Sequence, residues 1–149
     1  MFNIYLTNET APESDEQAVY GRIEVEDFVE TFVTSLVTWS RKDYELQWYR
    51  ACQRLVEGAT ESGLVASYLD PSMSEFCMWW PLYREGEIVH VRNELVPYSQ
   101  LTKPFTPNEP WAFLKKRKII TDEGLEISEW NTSVEHIQEF VMRLGKTLF

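Results

Sequence analysis

Residues 64–96, LVASYLDPSMSEFCMWWPLYREGEIVHVRNELV, hold three short runs rich in β-branched and aromatic residues, broken at Asp70-Pro71 and at a turn containing Gly86. That pattern predicts an antiparallel meander. The middle run is apolar on both faces, with Phe76, Met78, Trp80 and Leu82 on one and Cys77, Trp79, Pro81 and Tyr83 on the other. The third run alternates: Val89, Val91 and Leu95 share a side, and His90, Arg92 and Glu94 form a side expected to meet water. Two registers fit the turn at 83–87. A two-residue loop at Glu85-Gly86 sets Trp80 beside Val91, whereas a three-residue loop at Arg84–Gly86 shifts every pair by one. Pro81 cannot donate to a ladder and marks an edge, a bulge or an outward-facing nitrogen.

Working outward from the meander, Ser40 is a helix cap, Asp43 suits the positive end of a helix dipole and Gly58 is a natural stop, which predicts a helix over 41–57. Tyr44, Trp48, Cys52 and Leu55 fall on one stripe of it, so this helix should lie on the sheet. Tyr44, Trp48, Leu55, Trp80 and Leu82 are the expected core. Asn131-Thr-Ser133 caps a closing helix over 133–145, in which Val134, Ile137, Val141 and Leu144 recur at helical spacing. LEISEW at 125–130 reads as a strand, preceded by a turn at 121–124. Residues 1–18 read largely as loop, with MFNIYL compatible with a short strand. Residues from Gly21 onward read as two short strands or one bent strand with acidic side chains outward. The fold class is α+β: an antiparallel sheet made of the meander and flanking strands, covered by the two helices, in a single domain over 1–149.

The chain has 149 residues, a formal net charge of −10 and a sequence pI of about 4.7. Up to Ser40 there are eight acidic residues (Glu9, Glu13, Asp15, Glu16, Glu24, Glu26, Asp27, Glu30) against Arg22 alone, so −7 of the −10 lies there. This field disfavours bare nucleic acid or an anionic membrane and suits a basic protein partner. Cys52 and Cys77 read as reduced core thiols. The opening MFNIYLTNETAPESDEQ has neither a basic n-region nor a long apolar stretch, so a cytoplasmic protein is expected.

Catalytic patterns are absent from the sequence. His90 and His136 belong to no ligand-spaced cluster, so neither metal nor cofactor is expected, and Ser67 and Ser128 have no recognisable base. Glu126 and Glu129 are the only pair that an acid/base reading could use, which makes a small enzyme the weakest of three alternatives. Lys115-Lys-Arg-Lys118 is the one basic run. With Trp79 or Tyr83 as stacking partners it supports the second alternative, a single-stranded nucleic-acid binder.

The first alternative comes from resemblance. Trp39-Ser40 leading into KDYELQWYRACQRL (42–55), LVASYLDP (64–71), WPLYREGEIVHVRNELV (80–96) and DEGLEISEWNT (122–132) stand in the order found in the CdiI-type immunity proteins of bacterial contact-dependent growth inhibition systems. The chain resembles that family over about 39–132. The resemblance implies a non-catalytic cytoplasmic protein that binds and neutralises the toxic C-terminal domain of its own CdiA in a 1:1 complex. It also implies a toxin that is commonly a nuclease, and a fold similar to the Whirly single-strand-binding arrangement. The acidic density at Glu24, Glu26, Asp27 and Glu30 makes these the first expected toxin contacts. Asp70, Asp122 and Glu123 follow, and Trp79 and Tyr83 would serve if the aromatic face points outward.

Overall fold

The computed structural model describes residues 1–11, 17–114, 117–121 and 123–149. Strands β1 (Phe2–Thr10), β2 (Ala18–Val25) and β3 (Phe28–Ser35) form one antiparallel sheet in that order. Helix α1 (Arg41–Val56) follows. A five-stranded sheet comes next, built from β4 (Glu61–Ser67), β5 (Phe76–Glu85), β6 (Ile88–Val91), β7 (Glu94–Pro97) and β8 (Trp130–Ser133), and helix α2 (Val134–Leu148) closes the chain. One apolar cluster joins both sheets and both helices, and Tyr44, Trp48, Leu55, Trp80 and Leu82 all lie in it.

Helix α1 starts where its sequence says. Ser40 Oγ accepts from the Asp43 N–H at 3.2 Å, and the Asp43 carboxylate accepts from the Ser40 N–H at 2.9 Å, a reciprocal cap. Its buried stripe, Tyr44, Gln47, Trp48, Ala51, Cys52 and Leu55, packs against β4. The expected apolar positions are there, and Gln47 is an addition that apolar spacing does not announce.

The meander is present, but neither expected register is. The loop is Gly86-Glu87: Glu85 pairs with Ile88, Leu82 with Val91 and Trp79 with Glu94. Gly86 has φ 63 and Glu87 is not left-handed, so a glycine takes the first loop position and Glu85 is spared positive φ. The same register runs through β6 and β7, and the strand is interrupted at Arg92-Asn93 opposite Pro81 and Trp80. There the Arg92 N–H donates to the Pro81 carbonyl at 3.0 Å, but the ring nitrogen of Pro81 has no hydrogen to return.

Three further expectations are corrected. The short strand compatible with MFNIYL is there and extends through residues 7–10, expected as loop, because β2 supplies a ladder from Phe2↔Val25 to Leu6↔Gly21 and again at Thr10↔Val19. LEISEW is not a strand: only an isolated Ile120↔Glu126 bridge forms within it, Leu125 stays exposed, and pairing with β6 begins at Trp130 and continues to Ser133. The closing helix runs from Val134 to Leu148, capped by Ser133 Oγ on the His136 N–H at 3.1 Å. Cys52 and Cys77 are both buried and unpaired. No described helix is long and apolar enough to cross a membrane.

Trp48 lies fully inside this core, and its indole nitrogen donates to the Val65 carbonyl at 2.8 Å. Replacing it with Ala removes both the ring and that bond, and should lower unfolding free energy by about 3–5 kcal/mol in urea denaturation. Wild-type stability in that variant would contradict the packing described.

Candidate functional site

The acidic hairpin is the first surface to place. Glu26 and Asp27 form the two-residue turn between β2 and β3, and Glu26 takes φ 54, the one left-handed non-glycine among the described residues. Its carboxylate is fully engaged. Oε1 accepts from the Met1 amine at 2.7 Å, while Oε2 accepts from Thr132 Oγ1 at 2.6 Å and sits 2.7 Å from His136 Nδ1. Burial pushes the Glu26 carboxyl upward, but the bonds from the amine, Thr132 and His136 outweigh it and hold the group down at about 2. Glu26 therefore ties the first sheet to β8 and α2.

The other acidic side chains do not share one face. Across the hairpin Glu24 pairs with Val29 and Glu30 with Ile23, so Glu24 lies on the outer face and Glu30 on the inner one. Glu30 Oε2 accepts from Asn93 Nδ2 at 3.1 Å, and Asp27 is exposed at the turn. The expectation that several of these charges project together fails because the turn at Glu26-Asp27 reverses the chain, so even positions on β2 share a face with odd positions on β3. Asp70 is exposed, and its Oδ1 accepts from the N–H and the hydroxyl of Ser72 at 3.0 and 2.8 Å, which lowers its carboxyl below the usual range. Glu123 is exposed beside the turn closed by Gly124 N–H to Thr121 O at 2.9 Å. Asp122, Glu13, Asp15, Glu16, Lys115 and Lys116 lie outside the described residues.

Trp79 and Tyr83, expected on an outward aromatic face, are only 2% and 5% exposed. The connection after β7 covers them: Leu101, Phe113, Leu114 and Ile127 line a cleft with Trp79, Tyr83 and Arg92. The Trp79 ring also lies flush on β4, where a Cβ at Gly63 would sit 2.2 Å from it. On the polar side of the third run His90 and Arg92 are likewise buried, and Glu94 is half-buried. Arg92 is buried, stacked 5.2 Å over the Tyr83 ring, and its Nε donates to Glu129 Oε2 at 2.8 Å while an Nη bonds the Lys118 carbonyl. Arg117 donates to the same carboxylate at 3.1 and 2.6 Å, and His90 Nδ1 lies 2.7 Å from Asn131 Oδ1 and 3.3 Å from Glu129 Oε1.

Burial raises the Glu129 carboxyl, yet the Arg117 and Arg92 bonds prevail and keep it below its ordinary value. A carboxylate held by two guanidiniums anchors the covering segment and is poorly placed to carry a proton, while Glu126 is exposed on the hairpin of 119–127. The ISEW motif is thus architectural: Glu129 pairs with arginines on one side, and half-buried Trp130 stacks on Phe28 at 3.9 Å on the other. Among the described residues no group of three or more His, Cys, Asp or Glu could hold a metal.

The Glu26 knot has a pH signature. A carboxyl depressed in the folded state contributes stability above its unfolded value, here 4.5, and loses it as pH falls toward about 2. Glu26→Gln should therefore be less stable than wild type at neutral pH, with a difference in urea midpoint that shrinks between pH 4.5 and about 2. A difference that stays constant over that window would contradict the arrangement.

Comparison with known proteins agrees with this geometry over nearly the whole chain. The immunity protein CdiI of Enterobacter cloacae subsp. cloacae is 28% identical over 145 residues, covering 97% of this chain and 99% of that one. A solved chain of the CdiA-CT/CdiI toxin and immunity complex from Enterobacter cloacae superposes with a TM-score of 0.89 at 27% identity, covering 98% of this chain and 99% of that chain. The profile of the CdiI N-terminal domain matches residues 34–140, well over half the length, and the chain belongs to that family.

Proposed function

We propose that this chain is an immunity protein, a single domain that binds the C-terminal toxin domain of its own cognate CdiA in the cytoplasm and neutralises it without catalysis. The observation that carries this reading is the superposition on a chain of the CdiA-CT/CdiI complex over 98% of this chain and 99% of that one. The charge distribution supports it. A nuclease domain must hold phosphate and is usually basic, so against a toxin of that kind a partner at −10 gains steering on approach and complementarity on contact. The site chemistry supports it too, because Glu129, Arg92 and Arg117 are spent on one another.

Among the acidic residues, Asp27, Glu24, Glu30, Asp70 and Glu123 are the proposed contacts with the toxin. Glu26 serves the fold through its internal bonds. Co-expression with the toxin encoded directly upstream should restore growth to cells that the toxin alone arrests. Failure of both rescue and complex formation would overturn the reading. With the purified pair, converting Glu24 and Glu30 to Gln and Asp27 to Asn should slow association and flatten its salt dependence in stopped-flow traces at two ionic strengths, because exposed charges act mainly on the on-rate. An unchanged on-rate and slope would move the contact off this hairpin.

A further inference from the structure

Every sheet edge invites another strand unless something closes it. Along the outer edge of β1, Arg143 donates to the Phe2 carbonyl at 3.0 Å and Arg41 to the Thr7 carbonyl at 2.7 Å, and side chains of both helices flank Ile4 and Leu6 between them. The outer edge of β4 is closed by α1 through Gln47 and Trp48. On β3, the hairpin register turns the peptide groups of Val29, Thr31, Val33 and Ser35 away from β2. Those of Ser35 are taken, its N–H by Ser67 Oγ at 3.1 Å and its carbonyl by the Tyr44 hydroxyl at 2.7 Å. The outward N–H and C=O groups of Val29, Thr31 and Val33 have no partner among the described residues. The strand reads FVETFVTS, with no Pro, no Lys and no bulge to discourage pairing.

The floor beside that edge is apolar. β3 crosses the five-stranded sheet from side to side: Phe28 stacks on Trp130 of β8, Glu30 meets Asn93, Phe32 packs on Trp80 of β5 and Thr34 Oγ1 donates to the Ala66 carbonyl of β4 at 2.7 Å. One end of the crossed face is covered by α1, with Ser62 Oγ on the Ala51 carbonyl at 2.7 Å and Arg84 Nη1 on the Leu55 carbonyl at 2.6 Å. β2 and β1 extend from β3 toward the helices, so the free edge of β3 turns the opposite way, over the uncovered end. There Phe76 is 42% and Leu95 52% exposed, with Met78 between them on the same face, while Val29 and Val33 on the edge are 53% and 39% exposed. The three segments that build this ledge, 28–37, 67–79 and 93–97, hold no Lys or Arg, and they carry Glu30, Asp70 and Glu75, whereas Glu94, opposite Trp79, turns to the other face.

We propose that the free edge of β3 and the Phe76–Met78–Leu95 shelf seat an extended, basic segment of the toxin, which adds to the three-stranded sheet as a fourth strand. This rests on the toxin-binding reading above and names where it is exercised. Main-chain bonds at Val29, Thr31 and Val33 supply affinity, alternate apolar side chains of the guest meet the shelf, and its Lys or Arg residues meet the acidic rim. A second copy of this chain is the poorer guest, because its own ledge is equally acidic and would bring like charges together.

Thr31→Pro tests this directly. It removes an N–H that makes no intramolecular bond, at an edge position where proline is tolerated, so the far-UV spectrum and urea midpoint should hold. The affinity for the purified toxin domain, measured by calorimetry, should fall about 100-fold. The unmodified chain supplies a readout that needs no variant: the amides of Val29, Thr31 and Val33 should exchange rapidly when free and become protected in the complex. If wild type binds, but these amides stay unprotected and Thr31→Pro binds as tightly, the edge is not the seat and the toxin-binding reading survives. If wild type does not bind the toxin, that reading fails and takes this inference with it. Protection that appears in the free chain on raising its concentration would assign the edge to a second copy and overturn the proposal.

Discussion

The side chain of Gln47, 1% exposed, bonds a strand as though it were a peptide group. Its Nε2 donates to the Gly63 carbonyl at 2.8 Å and its Oε1 accepts from the Val65 N–H at 2.9 Å, so one carboxamide satisfies both outward groups flanking Leu64. β4 is the edge of its sheet, and burying an edge without such partners would strand several peptide groups away from water. Trp48 takes the next carbonyl at Val65. One turn earlier, the Tyr44 hydroxyl donates to Ser35 at the end of β3 and accepts from the Tyr68 N–H at 3.0 Å. Through these three side chains α1 is docked in one register on β4, and β3 is pinned to the same place.

From that junction the rest is constrained. With Ser35 held beside Ser67, β3 can only run across the larger sheet, and its inward residues meet β4, β5 and β8 in turn. The Glu26 knot fixes the far end of the crossing to Thr132 and His136. A strand held at both ends and bare along its middle is already in the conformation that a docking segment requires, so little ordering entropy remains to oppose association. The other polar cluster, Arg92 with Glu129 and Arg117, clamps the covering connection onto the opposite face and removes Trp79 and Tyr83 from the surface. The sheet therefore offers an acidic and apolar ledge on one side and a sealed face on the other.

Much of this was legible in the residues. Ser40, Asp43 and the Tyr44–Trp48–Cys52–Leu55 stripe defined α1, and the three aromatic-rich runs defined β4 to β7, because local capping and periodicity dominate there. The four motifs between Trp39 and Thr132 pointed to the right family, since their order survives where no single catalytic signature exists. What failed depended on partners distant in sequence. β1 is half polar and becomes a strand only when β2 arrives, and LEISEW alternates like a strand but has no free ladder opposite it before Trp130. The dryness of Trp79, Tyr83 and Arg92 follows from a connection that carries little strand or helix signal. Glu24 and Glu30 looked like neighbours until the turn at Glu26-Asp27, which contains no glycine, set them on opposite faces. Gln47 gave a faint hint, a polar residue beside an apolar stripe, and nothing local said that it would face a strand edge.

The dependence of the whole arrangement on that carboxamide can be measured in one comparison. Gln47→Leu keeps the volume and the helix but leaves the Gly63 carbonyl and the Val65 N–H buried and unpaired. Its unfolding free energy in urea should fall by about 2–6 kcal/mol, with the Val65 amide losing its exchange protection. A Gln47→Leu variant within about 0.5 kcal/mol of wild type, with Val65 still protected, would show that α1 is held on the sheet by apolar packing alone and would contradict the central role of the Gln47 carboxamide.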